Sequence, residues 1–249
     1  MRPEISIIIP VFNNLDGLKK SIQSIEIQTF RDFEVWIIDG GSSDATSSYL
    51  KHLKAPFYFI SEKDNGIYDA MNKGITQAQG QWLLFLGSGD VISTPEVFQQ
   101  VEKELSTNTP LVFGNVQYFQ KSAPSVFRNT KERLFESEFT STLWIKNTLH
   151  HQSVFYHHSL FEINSYNIDY HVLADYDLNL RLWKSKVKSK KIDLIIANCD
   201  PEGVSKRYMW SQYSEEIKMK FQNSTALYYP LFFLLALFKY LLKINLSDN

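Results

Sequence analysis

The chain has 249 residues, 44% hydrophobic and 21% charged, with 18 Phe and 13 Tyr; this supplies a core and excludes a disordered chain. Lys and Arg number 26 against 27 Asp and Glu, a net charge of −1 without the basic excess of a nucleic-acid binder. The single cysteine, Cys199, excludes a disulfide framework and a cysteine-rich zinc site and suits a reducing compartment.

Met1-Arg2-Pro3-Glu4 runs straight into a strand-like segment, which is not the pattern of a signal peptide. Ile5–Phe12 is a short β-branched apolar run that reads as a buried strand. Leu18, Ile22 and Ile25 follow at helical spacing, and Phe33–Asp39 is the second strand, halted by Gly40-Gly41-Ser42-Ser43-Asp44. Ser43 or Asp44 is placed to cap a short helix. Phe57–Ile60 reads as the third strand, Tyr68–Ala78 as a helix ended by Gly80, and Trp82–Leu86 as the fourth strand, broken at Gly87-Ser88-Gly89-Asp90. Pro95–Leu105 opens with proline in its first turn, as helices do, and Leu111–Asn115 is the fifth strand. Beyond it, His150–His158 and Ile192–Ala197 read as strands and Leu173–Lys184 as a helix.

This alternation predicts an α/β fold, a mainly parallel doubly wound sheet with helices on both faces. Ligands in such sheets bind beyond the carboxyl ends of the strands. Asn13-Asn14, Asp39, Lys63-Asp64-Asn65 and Ser88-Asp90 all fall at or just after predicted strand ends, so they are expected on one rim. Each taken singly is also what a polar turn contains. Asp90 after its glycine turn can approach a divalent ion carrying phosphate oxygens, or it can form an Asx-turn. Asp39 can accept from a nucleobase imide or close its own turn.

Ile7-Ile8-Ile9-Pro10-Val11-Phe12-Asn13, Ile37-Ile38-Asp39-Gly40-Gly41-Ser42-Ser43-Asp44-Ala45-Thr46, Glu62-Lys63-Asp64-Asn65-Gly66-Ile67-Tyr68-Asp69-Ala70-Met71-Asn72-Lys73-Gly74 and Leu84-Phe85-Leu86-Gly87-Ser88-Gly89-Asp90 occur in that order. Together they resemble the successive motifs of family 2 inverting glycosyltransferases with the A-type, Rossmann-like fold. A chance match to one is easy; to four in sequence it is not. The resemblance continues more weakly to about Cys199. It implies a nucleotide-diphospho-sugar donor, with a UDP-sugar favoured at Asp39, lying across the strand ends. By position, Pro10 and Phe12 would touch the base and Asp39 would bond it. Asn14, Asp64, Gly66, Asp69, Asn72, Lys73, Ser88 and Gly89 would lie around nucleoside and phosphates. Asp90 matches the last aspartate of the family's Asp-x-Asp motif, and so implies Mn²⁺ or Mg²⁺. Ser88 stands where the first aspartate would be, which weakens the protein's own hold on a cation.

An inverting transfer needs a general base for the acceptor hydroxyl. Ala174-Asp175-Tyr176-Asp177-Leu178 resembles the family's late acidic motif, where that base sits. Two residues apart on a helix are about 200° apart in direction, so only one acid faces the cleft. Asp177 has Arg181 one turn on, as in an ordinary surface ion pair. Asp175 has no basic neighbour on its helix and is the expected base, an N-cap being the competing reading. Adjacent histidines in a strand point to opposite faces, so neither His150-His151 nor His157-His158 is expected to chelate one ion. By resemblance, His151 and Gln152 line the acceptor and diphosphate side, a structural histidine being the alternative. The lysines at 184, 186, 188, 190 and 191 read as a solvated loop, or as a contact for anionic headgroups.

The sequence therefore predicts a cytoplasmic, metal-assisted inverting hexosyltransferase of surface-polysaccharide or glycolipid assembly. Its acceptor would be a glycan or lipid-linked hydroxyl, with no nucleic acid involved. Residues 1–210 would form the catalytic domain, a donor half to about 115 and an acceptor half beyond, with 211–249 a helical extension. The competing readings are a nucleotidyltransferase, which lacks its phosphate loop here, and a non-catalytic sugar-nucleotide-binding or membrane-scaffold protein, suggested by Ser88. The nonpolar run Ala226–Phe238 contains Pro230 and is shorter than the roughly 20 residues of a spanning helix. It is expected to lie in the interface at the inner face of the membrane, with Lys239 and Lys243 snorkelling to phosphates. Packing on the domain or on a second subunit of a homodimer is the alternative.

Overall fold

The computed structural model describes residues 2–119, 134–200 and 209–247, with side chains through Leu242. Period-two alternation in the first strand, β1 (Ile5–Val11), sorts its isoleucines onto two faces. Ile5, Ile7 and Ile9 join one hydrophobic layer with Leu18, Ile22 and Ile25 of α1 (Leu15–Glu26). Ile8 joins the other, with Met71 of α3 (Ile67–Gln77) and Leu178 of α5 (Ala174–Lys184). Burying each such side chain contributes about 1.5–3 kcal/mol, so the register of β1 is strongly specified.

The sheet runs β3 (Phe57–Ser61), β2 (Phe33–Asp39), β1, β4 (Trp82–Phe85), β8 (Val154–His157), β6 (Leu111–Tyr118), β9 (Ser189–Cys199) and β5 (Val91–Ile92). A short β7 (Leu134–Phe135) pairs with β6. The expected parallel arrangement holds for β3-β2-β1-β4 and for β6 beside β9. Strand β8 instead runs antiparallel to both β4 and β6, and β5 antiparallel to β9. Between β6 and β8 the described residues contain no α-helix, and a parallel neighbour needs such a crossover. The predicted strand His150–His158 is correspondingly shorter: its first residues form a 3-10 turn, His151–Ser153. The short helices α2 (Thr46–Leu50) and α4 (Val97–Glu102) complete the N-terminal half. Ala45, not Ser43 or Asp44, is the boundary residue of α2, although Asp44 Oδ1 accepts from Thr46 N at 2.9 Å.

The C-terminal part is a helical hairpin of α6 (Trp210–Gln222) and α7 (Tyr229–Ser247). Glu215 on α6 accepts from the backbone N–H groups of His171, Val172 and Leu173, satisfying donors at the entrance to α5. Helix α7 buries Phe232 and Ala236, with Phe232 stacked on Trp144. Lys239 bonds Glu216 of α6, so it does not snorkel to headgroups as expected; the side chain of Lys243 lies outside the described residues. Leu231, Leu234, Phe238, Leu241 and Leu242 face outward, all within about 100° of arc at 3.6 residues per turn. Among the described residues no helix is long and apolar enough to cross a membrane.

Candidate active site

The carboxyl ends of β1, β2 and β3 are stitched to one another. Asn13, at φ 49°, accepts from Ser43 N at 2.8 Å through Oδ1 and donates its own N–H to Ser42 Oγ at 2.7 Å. Asp39 is fully buried, and its carboxylate accepts from Ser42 N at 3.1 Å, Ser42 Oγ and, at 2.6 Å, Ser61 Oγ. The turn-closing alternative is thus realised at Asp39, whose carboxylate is engaged by these donors. Asp64 lies against Gly40, where a Cβ would come within 2.6 Å of Asp64 Oδ2, so only glycine admits this approach. Asp64 Oδ1 also accepts from Gly66 N at 2.9 Å. Phe12 stands 64% exposed just past β1, whereas Pro10 is buried inside the strand.

Three expected donor residues on α3 are engaged elsewhere. Asp69 accepts from Asn65 N at 2.9 Å. Lys73 pairs with Glu62 at 2.8 Å and donates to Lys63 O. Asn72 clips the backbone of Tyr166, donating to its O at 2.9 Å and accepting from its N at 3.0 Å. Asn72 lines a cavity of about 550 Å³ shared with Asp177, Arg181 and Gln222, which the Asp39 and Asp90 turns do not line.

After β4 the chain turns through Gly87-Ser88-Gly89 to Asp90. Gly89 has φ +110°, a backbone conformation that L side chains rarely adopt. Asn14 caps α1 through Gly17 N and donates from Nδ2 to Ser88 O at 3.0 Å, tying the ends of β1 and β4 together. Asp90 is buried; Oδ2 accepts from Gln152 Nε2 and Oδ1 from Asp200 N, both at 3.0 Å. Burial raises its carboxyl above the ordinary range, against these hydrogen bonds and the nearby His151 charge.

Asp175 is the second residue of α5. Leu173 is the boundary residue, so Asp175 is not the N-cap. Its Oδ2 lies 3.2 Å from His151 Nδ1 and its Oδ1 3.1 Å from the Tyr68 hydroxyl. Burial alone would raise its carboxyl, but the His151 hydrogen bond, the charges of His151 and His150 and the Tyr176 N–H outweigh it and hold Asp175 below the usual range. Asp175 is therefore ionised at neutral pH. Asp177 points away: buried, it takes Arg181 Nε at 2.8 Å and Asn223 Nδ2 at 2.8 Å, a half-buried ion pair rather than the surface pair expected. The histidines diverge as predicted, though from a turn. His150 meets Tyr118 and Phe135, His151 meets Asp175, and His157 and His158 hold Ser159 and Gly80.

The centre therefore consists of Asp90, Gln152, His151, Asp175 and Tyr68. Among the described residues no group of three or more His, Cys, Asp or Glu side chains can hold a metal unaided. Asp90 alone is a hard oxygen donor of the kind that Mg²⁺ or Mn²⁺ shares with phosphate oxygens, and a cation there would compensate its buried charge. Gln152 Oε1 beside it is buried without a hydrogen-bond partner. These residues fit a cation that arrives with its diphosphate. Tyr68, Ser61 and Asp200 were given no role by sequence reasoning. Tyr68 reads as an apolar position of α3, and the other two reach the site only through tertiary contacts.

The model of "Glycosyl transferase family 2" matches residues 6–166. A Mycobacterium bovis protein described as a "PGL/p-HBAD biosynthesis glycosyltransferase" is 35% identical over 190 residues, 74% of this chain and 71% of that one. An uncharacterized glycosyltransferase of Mycobacterium tuberculosis is 36% identical over 189 residues, covering 72% and 68%. Among solved structures, S. aureus TarS 1-349 in complex with UDP-GlcNAc superposes with a TM-score of 0.67 at 15% identity, over 87% of this chain and 65% of that one. The mannosyltransferase PcManGT of Pyrobaculum calidifontis, in complex with GDP-Man and Mn²⁺, gives 0.63 at 17% identity over 90% and 63%. At these identities the structural matches establish a shared fold.

Proposed function

Since the chain belongs to glycosyl transferase family 2, we propose that it is an inverting hexosyltransferase moving a sugar from a UDP-sugar to a hydroxyl of a glycan or lipid-linked acceptor. The observation that carries this reading is the pairing of two carboxylates from opposite halves of the chain, Asp90 and Asp175, through adjacent residues Gln152 and His151. Asp175, ionised and anchored at Oδ2, takes the acceptor proton as the acceptor oxygen bonds to the anomeric carbon and the bond to the diphosphate breaks on the opposite face. Asp90 would hold Mn²⁺ or Mg²⁺, which supplies positive charge for the departing diphosphate. The rim from Phe12 through Asp39, Asp64 and Ser88 holds the nucleotide, with Gln152 toward the diphosphate and His151 toward the acceptor. In this reading residues to about 115 bind donor and those from about 116 to 210 bind acceptor. The nucleotide sugars and Mn²⁺ named in the TarS and PcManGT complexes support the donor and cation classes.

The outward stripe of α7 supports residence on the inner face of the cytoplasmic membrane, beside a lipid-linked acceptor. Lys184, which opens the lysine run, bonds Asn223 O at the end of α6. Truncation after Thr225 is expected to abolish sedimentation with anionic vesicles while donor binding persists. Transfer and donor-hydrolysis assays across sugar nucleotides, with Mn²⁺ or Mg²⁺ and with chelator, test the catalytic reading. Turnover of none refutes it, and a retained anomeric configuration in the product refutes inversion.

A further inference from the structure

His151 and Gln152 are neighbours in sequence, yet each holds a different carboxylate. Gln152 Nε2 donates to Asp90 Oδ2 at 3.0 Å, and His151 Nδ1 meets Asp175 Oδ2 at 3.2 Å. The turn that carries them is itself fixed. Ser153 is fully buried, its N–H and hydroxyl both donate to His150 O, at 3.0 and 2.9 Å, and its hydroxyl lies 3.2 Å from that of buried Ser137.

On the Asp175 side the two oxygens are unequal. The Tyr68 hydroxyl has one hydrogen and two acceptors, Val172 O at 2.7 Å and Asp175 Oδ1 at 3.1 Å. The shorter contact goes to the backbone, so His151 is the firm anchor and Oδ1 the oxygen with capacity to spare.

We infer that His151 is a positioning residue for the base: its Nδ1–H fixes Oδ2 of Asp175 so that Oδ1 faces the acceptor, while Gln152 on the same turn fixes Asp90. One rigid turn thereby sets the spacing between the side that removes the proton and the side that receives the leaving group. This inference rests on the glycosyltransferase reading and goes beyond it by assigning the atom and the tautomer: Nδ1 carries the hydrogen. Misplacing a reacting group by about 1 Å can cost about 10²-fold in rate.

Three His151 variants test it. His151→Ala is expected to lower kcat by about 10–10²-fold with nucleotide affinity unchanged. His151→Asn, whose Nδ2 occupies the place of Nδ1, is expected to recover most of kcat, and His151→Gln, whose amide reaches too far, is not. In the Asp175→Asn background His151→Ala is expected to cost nothing further, because its only route to the chemistry is gone. A loss in nucleotide affinity rather than kcat, an Asn variant no better than Ala, or additive losses would overturn the assignment. Nitrogen NMR of His151 reads the pairing without turnover. An Nδ1–H tautomer whose Nδ1 resonance moves on Asp175→Ala supports the inference, and an Nε2–H tautomer indifferent to it refutes the inference. A wild-type protein that transfers no sugar would sink the functional reading, with the NMR result still deciding the pairing.

Discussion

The rim and the carboxylate centre solve the same problem, holding acids in fixed positions, in opposite ways. On the rim, partners are mostly local. Asp39 is bonded by Ser42, three residues on, Asp64 by Gly66 and Asp69 by Asn65. At the centre they are distant: Asp90 is held by Gln152 and Asp200, and Asp175 by His151 and Tyr68. Local partners make a rim whose shape survives small shifts of the sheet. Distant ones make a centre that exists only when both halves are docked, so the rim is expected to bind and the centre to react.

The largest break in that comparison comes from Asp175→Asn. It keeps the shape and removes the base, so transfer should fall about 10²–10⁴-fold while calorimetry finds nucleotide affinity little changed. Asp90→Asn should abolish the dependence of activity on added Mn²⁺ and leave thermal stability equal or higher, because it removes a charge that burial disfavours and Gln152 can turn its unpartnered Oε1 to the new amide.

The two carboxylates also predict opposite pH effects on stability. Asp90, raised in the fold, binds a proton more readily folded than unfolded, so its contribution declines as pH rises above 3.8 toward its folded value. Asp175, lowered in the fold, contributes stability above 3.8 that disappears as pH falls through its folded value. Denaturant titrations of Asp90→Asn and Asp175→Asn across the acid range should depart from wild type with opposite slopes; equal slopes would remove the distinction.

On the rim, Asp39→Asn should cost about 1–3 kcal/mol of stability, since an amide nitrogen now faces donors that a carboxylate accepted. Its effect on kcat should be small and its effect on donor KM the larger.

The helical hairpin offers the smallest effect on activity. Lys220 is buried against Glu216, Ile145 O and the Tyr176 ring, and burial pushes its ammonium down to about 8. The unfolded chain holds that proton to about 10.4, so stability should rise between pH 8 and that value. Lys220→Met should lose this rise at little cost at pH 7, because Lys239 still pairs with Glu216.

The N-terminal half was readable because its elements follow local rules. Isoleucines alternate in β1, an apolar face recurs every three or four residues in α1 and α3, and glycines punctuate the strand ends. That Asp177 pairs with Arg181 while Asp175 faces another way was also available from helix periodicity and the Arg181 spacing. Other contacts were not legible, for identifiable reasons. The sequence does not show that Glu216 stands across from Lys239 on α6. The motif match that assigns Asn72 and Lys73 to the donor carries no information on their protein partners, Tyr166, Glu62 and Lys63.

What the sequence by itself determined was the alternating α/β order, the rim and the identity of its acids, all set by residue spacing and turn chemistry within a few positions. Only the tertiary structure decided the antiparallel entry of β8, the burial of Asp90 and the meeting of Gln152 and His151 with two carboxylates. Those contacts join residues 62 and 24 positions apart. Such contacts are selected by packing of the whole sheet, because no local periodicity distinguishes a histidine that reaches a carboxylate from one that does not.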